Sequence, residues 1–547
     1  MRGFRHFRTA RALVCAAAAA ALAACTAQGI AERPGGSDAI ARPLLQTSYG
    51  PMLGTREGNG SVMVFKGVRY AASTEGRRFQ TALAPQPWNT PADASEYGND
   101  CPQIPGGDVP LFASWSNDRP DSEDCLFLNV WTRGLNDGGK RPIMVWLHGG
   151  GYVTGSGSAL GYDGTRLAQR GDVVIVTINH RLSAFGYLYL AELTDDPKYA
   201  DSGNIGSLDI QRALEWVRDN AAAIGGDPDN VTIFGESGGA AKVSTMMAME
   251  GARALFHKAI AQSGSMSLAG FTPRVGTAIA TDLLHTGGMT PADIDRLATM
   301  PIEEFVPMMM RSRSRGAYFR PVVDGRSLTR QPFTPDAAPT SRDVPLLVGT
   351  NRTEMRLQAG LSGENWNLGW EQLPEKLKPF LGADVDPAPI IAGMRAAHPD
   401  ADASEVFFQA ATYRNYRGTA ITQAERKSAQ GGAPVWMYRL DWETPVDGGK
   451  WKTPHALDIG FVFDNVARST SMTGSGPGQD RLAELMSEAW IAFARTGNPN
   501  TAALPDWPIY DARTRATMIF DVPPHVVNDP DGAERELLSQ LPEGRGL

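Results

Sequence analysis

The chain has 547 residues, 42% of them hydrophobic and 20% charged, with a formal net charge of −8. That size and apolar content suit a globular enzyme with a large core, and α/β enzymes of this length often run as one domain with insertions. The acidic balance argues against a nucleic-acid-binding face, which needs clustered basic charge. The four arginines of the first 24 residues, a stretch with no acidic residue, leave −12 for the remainder.

Those first residues read as a targeting signal. Arg2 to Arg11 is a basic n-region, and Ala12 to Ala24 is an apolar run too short to span a bilayer comfortably. Leu22-Ala23-Ala24-Cys25 resembles the bacterial lipoprotein signal, in which the cysteine is lipidated and becomes the mature N-terminus. By the same resemblance, threonine at position 26 permits transfer to the outer membrane. The alternative is an ordinary secretory peptide cut near the same alanines. The expected location is therefore periplasmic or outer-membrane-anchored, or else secreted and soluble, with a lipid at Cys25 as the one membrane contact. Residues 25–44, rich in Gly, Ala, Pro, Ser and charge, read as a flexible tether ahead of a single domain over 45–547. With Cys15 in the signal and Cys25 at the anchor, Cys101 and Cys125 remain. Two cysteines about two dozen residues apart in an exported chain suggest a disulfide, worth about 3 kcal/mol on the chain-entropy model.

Strand-like sequence begins at Val62-Met63-Val64-Phe65, followed by Gly67-Val68-Arg69-Tyr70-Ala71. Pro142-Ile143-Met144-Val145-Trp146-Leu147 is a near-continuous apolar run suited to a sheet covered on both faces. It ends in His148-Gly149-Gly150-Gly151-Tyr152, and an HGGG stretch after a strand is the form of an oxyanion-hole loop. The following Gly155, Gly157 and Gly161 miss the spacing of a dinucleotide loop. Val173-Val174-Ile175-Val176-Thr177-Ile178-Asn179 is a third buried strand, leading into His180-Arg181. Ile210, Ala213, Leu214, Val217, Ala221 and Ile224 then mark an amphipathic helix, stopped by Gly225-Gly226 and turned by Asp227-Pro228.

The next stretch organises the rest. Val231-Thr232-Ile233-Phe234 reads as a buried strand and Ala240 to Met249 as a helix, joined by Gly235-Glu236-Ser237-Gly238-Gly239. A serine between glycines at a strand-to-helix turn is the pattern of a nucleophile elbow, which lifts the hydroxyl above the end of the sheet. Further strands are expected at Ala259-Ile260-Ala261-Gln262-Ser263, at Val344 to Gly349 and at Pro434 to Leu440. The segments of about 70 to 90 residues between them are too long for simple loops and read as helical insertions capping the site. Alternating strands and helices predict an α/β fold with a mixed, mostly parallel sheet.

A serine hydroxyl needs a base within reach and a carboxylate to orient that base. Of eight histidines, His6 lies in the signal, and His257, His285, His398 and His525 have no site-like neighbours. His180 reads as structural beside Arg181, and His148 as a brace for the glycine loop. His455 stands in the turn-like Lys452-Thr453-Pro454-His455-Ala456-Leu457-Asp458. Glu354 follows a strand end in Gly349-Thr350-Asn351-Arg352-Thr353-Glu354. Ser237, Glu354 and His455 thus follow the order serine, acid, histidine. No CxxC pair, HExxH or Walker lysine loop is present, so neither a metal nor a cofactor is expected.

Taken in order, these stretches resemble the type-B carboxylesterases of the carboxylesterase–cholinesterase family. Phe65 to Ala71, Ser122-Glu123-Asp124-Cys125-Leu126-Phe127-Leu128-Asn129-Val130 and Phe461-Val462-Phe463 add to the match, which runs from roughly Tyr49 to Trp507. The resemblance implies an α/β-hydrolase fold, a Ser237–His455–Glu354 triad and an oxyanion hole from the N–H groups of Gly150, Gly151 and Gly238. It also implies a Cys101–Cys125 disulfide and a small-molecule ester substrate. Glu236 would line the site electrostatically, or else serve as a buried structural carboxylate. Three departures stand out: Gly238 replaces the usual alanine, Met355 and Ala456 replace the usual glycines after the acid and the histidine, and Ser73 to Arg78 lacks the usual proline pair. Some family members have lost catalysis and act in adhesion, which the intact triad here disfavours. An amide, carbamate or lactone substrate stays open.

Overall fold

The computed structural model describes residues 42–105, 109–117, 119–265, 267–382 and 384–541. The signal, Cys25 and most of the tether lie outside them. Arg42–Leu547 forms one compact unit. The sequence reading carries the tether to residue 44, whereas Arg42 already donates to the carbonyls of Leu53 and Gly54.

The main sheet is built from β1 (Thr55–Glu57), β2 (Val62–Arg69), β3 (Phe127–Thr132), β4 (Arg141–Leu147), β5 (Val174–Ile178) and β6 (Gly226–Glu236). It continues with β7 (Lys258–Gln262), β8 (Leu346–Asn351), β9 (Val435–Leu440), β10 (Ala516–Phe520) and β11 (His525–Asn528). Their spatial order is β11-β10-β9-β8-β7-β6-β4-β5-β3-β2-β1. Strands β10 through β5 in that order run parallel. Antiparallel β11 closes one end, and β3, β2 and β1 the other. Every residue of β5, β7, β8 and β10 is buried, which is why apolar residues follow one another in these strands instead of alternating with exposed polar ones.

The helices that matter here are α1 (Ile205–Asn220), α2 (Gly238–Ala248), α3 (Pro273–Thr286), α4 (Ile302–Arg313), α5 (Ala403–Thr412), α6 (Gly418–Ala429), α7 (Leu457–Val462) and α8 (Pro477–Thr496). The apolar stripe of α1 is buried as its spacing predicts, but the helix ends at Asn220. Ala221 and Ile224 pack below it in a closing turn, Ile224 N–H donating to Asn220 O. The expected turn at Asp227-Pro228 is an excursion inside β6: Arg141 faces Gly226 and Ile143 faces Val231. Pro142 lies between those pairs and has no N–H to give the ladder, so the extra residues loop out there. The two long insertions are helical. The one after β7 carries α3 and α4, and the one after β8 carries α5, a π-helical turn at Tyr413–Arg417, and α6.

One aromatic cluster fixes the strands that carry the site. Trp146 of β4 packs against Phe234 of β6 at 4.9 Å and against Phe463, just after α7, at 5.0 Å. Each such pair is worth about 0.5–1.5 kcal/mol beyond its buried area. The ends of β4 and β6 and the segment after His455 are thereby held in one core. Cys101 and Cys125 form a disulfide with their Cα atoms 4.9 Å apart.

Candidate active site

Ser237 sits between β6 and α2 with φ 57° and ψ −121°, a left-handed conformation that a non-glycine residue adopts only when its surroundings impose it. The flanking glycines supply that pressure. A Cβ on Gly235 would lie 2.6 Å from Leu147 O, and one on Gly239 only 2.0 Å from the same atom. The backbone of β4 is packed so closely against the elbow that no side chain fits on either flank. Ser237 N–H donates to Gln262 O of β7 at 2.8 Å, anchoring the turn to the neighbouring strand. The residue is half-buried.

Glu354 and His455 come together from the ends of β8 and of the loop after β9. His455 Nδ1 lies 2.6 Å from Glu354 Oε2. The loops carrying them are laced: Thr353 N–H donates to Thr453 O at 3.1 Å, Asn351 Nδ2 to Pro454 O at 2.8 Å, and Thr453 N–H to Thr353 Oγ1 at 2.9 Å. The second oxygen of Glu354 accepts from Ser263 Oγ at 2.6 Å and from Asn351 N–H at 2.7 Å. With both oxygens engaged, the carboxylate cannot rotate, and the contact favours the neutral His455 tautomer with Nδ1 protonated, which leaves Nε2 to act as base once the ring loses its second proton. Among the described residues Ser237 Oγ makes no hydrogen bond to His455; such contacts are often long before substrate arrives.

Glu236 faces the other side of the imidazole. Its Oε1 is 3.2 Å from His455 Nε2, within ion-pair range, yet has no aligned hydrogen-bond donor. Burial, with the nearby Asp458 and Glu354 charges, pushes Glu236 up to about 8. Burial alone would lower His455, but the charge of Glu236 and the hydrogen bond His455 donates to Glu354 outweigh it and raise His455 to about 9. The two titrate as a pair. Asp458 completes a buried carboxylate trio; burial pushes it up to about 6 against hydrogen bonds from Gln262 and Tyr438.

Gly150 and Gly151 have φ of 81° and 62°. Their N–H groups and that of Gly238 donate to no protein acceptor among the described residues. A Cβ on Gly238 would lie 2.1 Å from Gly151 O. The glycine loop is thus pressed onto the first turn of α2, and glycine in place of the family's alanine is what allows that approach. His148 Nδ1 is 2.9 Å from Gly149 O, as expected of a loop brace, and His180 stacks on it at 4.7 Å. His398 pairs with Glu534, away from this cluster. No group of three or more His, Cys, Asp or Glu among the described residues is arranged to hold a metal.

Three contributors escaped the sequence reading. Ser263 was visible only as the end of a strand, though a small polar residue closing the strand next to the one that ends at Ser237 is a usable signal. Asp458 was seen as part of a turn. Tyr416, on the π-helical turn, packs its ring 4.7 Å from that of His455 and accepts a hydrogen bond from Gln358 at 2.8 Å. Nothing in the local pattern marks it, because the π turn that aims it is a tertiary feature.

The model of the carboxylesterase family matches residues 41–534. The chain belongs to the carboxylesterase family. It is 35% identical over 504 residues to a para-nitrobenzyl esterase of Bacillus subtilis, covering 90% of this chain and 98% of that protein. It is 32% identical over 497 residues to a phenmedipham hydrolase of Pseudarthrobacter oxydans, covering 88% and 95%. The crystal structure of a Geobacillus stearothermophilus carboxylesterase at pH 6.2 matches with a TM-score of 0.80 and 38% identity, covering 91% of this chain and 100% of that one. The enzyme is a serine carboxylesterase with the α/β-hydrolase fold.

Two features of this carboxylesterase give direct tests. Ala456, in the place of the family's glycine, has φ 69°. A Cβ costs about 1 kcal/mol in that conformation, so Ala456→Gly is expected to raise stability by about that much in urea unfolding. An unchanged or lower midpoint would show that the left-handed turn is not strained. The second test concerns Glu236. Removing its charge makes the imidazolium of His455 less favourable, so neutral His455 persists to lower pH. Glu236→Gln is expected to move the acid limb of kcat/KM down by about one pH unit. A limb that stays in place would mean that Glu236 does not govern the histidine.

Proposed function

We propose that the enzyme hydrolyses small carboxylic esters by attack of Ser237 Oγ on the ester carbonyl. His455 Nε2 takes the serine proton and returns it to the departing alcohol, and Glu354 orients the imidazole and stabilises its charged form. The N–H groups of Gly150, Gly151 and Gly238 bind the oxyanion, each such donor being worth about 3 kcal/mol in the transition state. Water, deprotonated by the same histidine, then releases the acid from the acyl-enzyme. The observation that carries this reading is the 2.6 Å contact of His455 Nδ1 with Glu354 Oε2, together with a serine at positive φ in a strand–helix elbow whose preceding residue, Glu236, lies 3.2 Å from His455 Nε2. No cofactor enters these steps.

A fluorophosphonate probe is expected to label the protein once, and peptide mass spectrometry to locate the label on Ser237. Labelling elsewhere, or none in protein that turns over p-nitrophenyl esters, would sink the assignment. We also propose that residues 1–24 direct export, that Cys25 carries the lipid, and that 45–547 works as one catalytic domain. Among the described residues no helix is long and apolar enough to cross a membrane. Metabolic incorporation of a labelled fatty acid, lost in Cys25→Ser, is the corresponding check.

A further inference from the structure

Lys242 lies on α2, five residues beyond Ser237, and is completely buried. No carboxylate pairs with it among the described residues, and burial lowers it to about 7. Its Nζ donates to His148 O at 2.9 Å and sits 5.7 Å from the centre of the Tyr152 ring. His148 and Tyr152 flank Gly149-Gly150-Gly151, so one side chain touches both ends of the glycine loop. An amine buried without a counter-ion is a poor choice for stability, where an apolar side chain of similar length would serve better.

The loop's other ties hold different carbonyls: His148 Nδ1 lies on Gly149 O, Gly150 O accepts from Val153 and Thr154 N–H, and Tyr152 O accepts from Ser183 N–H, which leaves His148 O to Lys242. The loop backbone lies flush against α2: a Cβ on Gly239 would be 2.0 Å from Leu147 O and 3.1 Å from His148 O. Glycines fix how closely the loop approaches but not how its peptide planes are turned. The plane between His148 and Gly149 sets the direction in which the next N–H groups point. We propose that Lys242 is a positioning residue of the oxyanion loop: its hydrogen bond to His148 O fixes that peptide plane and so aims the Gly150 and Gly151 N–H groups at the reacting carbonyl. This rests on the oxyanion assignment above. The lysine reaches the substrate only through the loop.

The test compares wild-type enzyme with Lys242→Met, which keeps the length and loses the donor, and Lys242→Gln, which keeps a neutral N–H donor. Rates are normalised to sites titrated with the fluorophosphonate. Lys242→Met is expected to lower kcat by about a hundredfold with KM within about twofold, as for any misplacement of a catalytic donor by about an ångström. Inhibition by a trifluoromethyl ketone, whose hemiketal oxyanion mimics the intermediate, is expected to weaken by the same factor. Lys242→Gln is expected to recover most of both. A merely structural lysine would lower the melting temperature but leave kcat per titrated site and ketone affinity unchanged, and that result overturns the proposal. So does a folded Lys242→Gln that is no better than Lys242→Met. If Lys242→Met fails to fold, Lys242→Ser, which leaves room for water under the loop, is held to the same criteria. A wild-type enzyme that neither turns over nor labels would instead refute the esterase mechanism itself.

Discussion

Ser237→Ala is expected to abolish turnover of short p-nitrophenyl esters, with kcat reduced about a million-fold, as when the nucleophile of a triad is lost. The substitution removes only Oγ. Alanine keeps the Cβ, so the backbone at φ 57° carries the same strain, and the Ser237 N–H bond to Gln262 O is untouched. The melting temperature is therefore expected to stay within a degree or two, and ester binding to be nearly preserved. The residual rate reports what the oxyanion donors and substrate placement contribute without a nucleophile. Steady-state rates beside a single-turnover experiment make the check: the wild type should release a burst of p-nitrophenol and the variant none. A variant retaining more than about a hundredth of wild-type kcat would place the nucleophile elsewhere.

The parts of this molecule legible in its sequence are those where one local rule suffices. Buried parallel strands announce themselves as unbroken apolar runs, and Ile143 to Leu147, Val174 to Ile178 and Leu346 to Gly349 did so. The elbow was legible because Gly235 and Gly239 answer to a clash with Leu147 O that no other residue survives. Order and resemblance singled out Ser237, Glu354 and His455, and the fold brings Glu354 and His455 into contact. What was hidden depends on contacts between distant segments. The hold of Ser263 on Glu354 spans 91 positions, and the packing of Tyr416 on His455 exists only because a π-helical turn interrupts an otherwise regular helix. The sequence marked Gly238 only as a departure from the usual alanine; a Cβ there would lie 2.1 Å from Gly151 O, which makes glycine a requirement of the close packing. Ala456 was likewise flagged by resemblance, and its positive φ supplies the physical reason a glycine is usual there.

Glu354→Gln carries the second large effect, a fall in kcat of about ten-thousandfold, and the hydrogen bonds around the acid explain why a near-isosteric change costs so much. One oxygen of Glu354 accepts from Ser263 Oγ and from Asn351 N–H; the other faces His455 Nδ1. An amide has one oxygen. The Asn351 N–H can only donate, so the glutamine oxygen is drawn to that side and its NH2 group turns toward the imidazole. His455 must then accept at Nδ1 and carry its proton on Nε2, the tautomer that cannot take a proton from Ser237. The fold should survive, since shape is unchanged and both donors keep a partner, and fluorophosphonate labelling should slow in parallel with ester turnover. The alternative is that Glu354 supplies only negative charge near the histidine. Glu236 and Asp458, both buried beside it, would then compensate in part, and the loss would shrink to about tenfold. A measured drop of that smaller size would remove Glu354 from the role of orienting acid and give it to the carboxylate cluster as a whole.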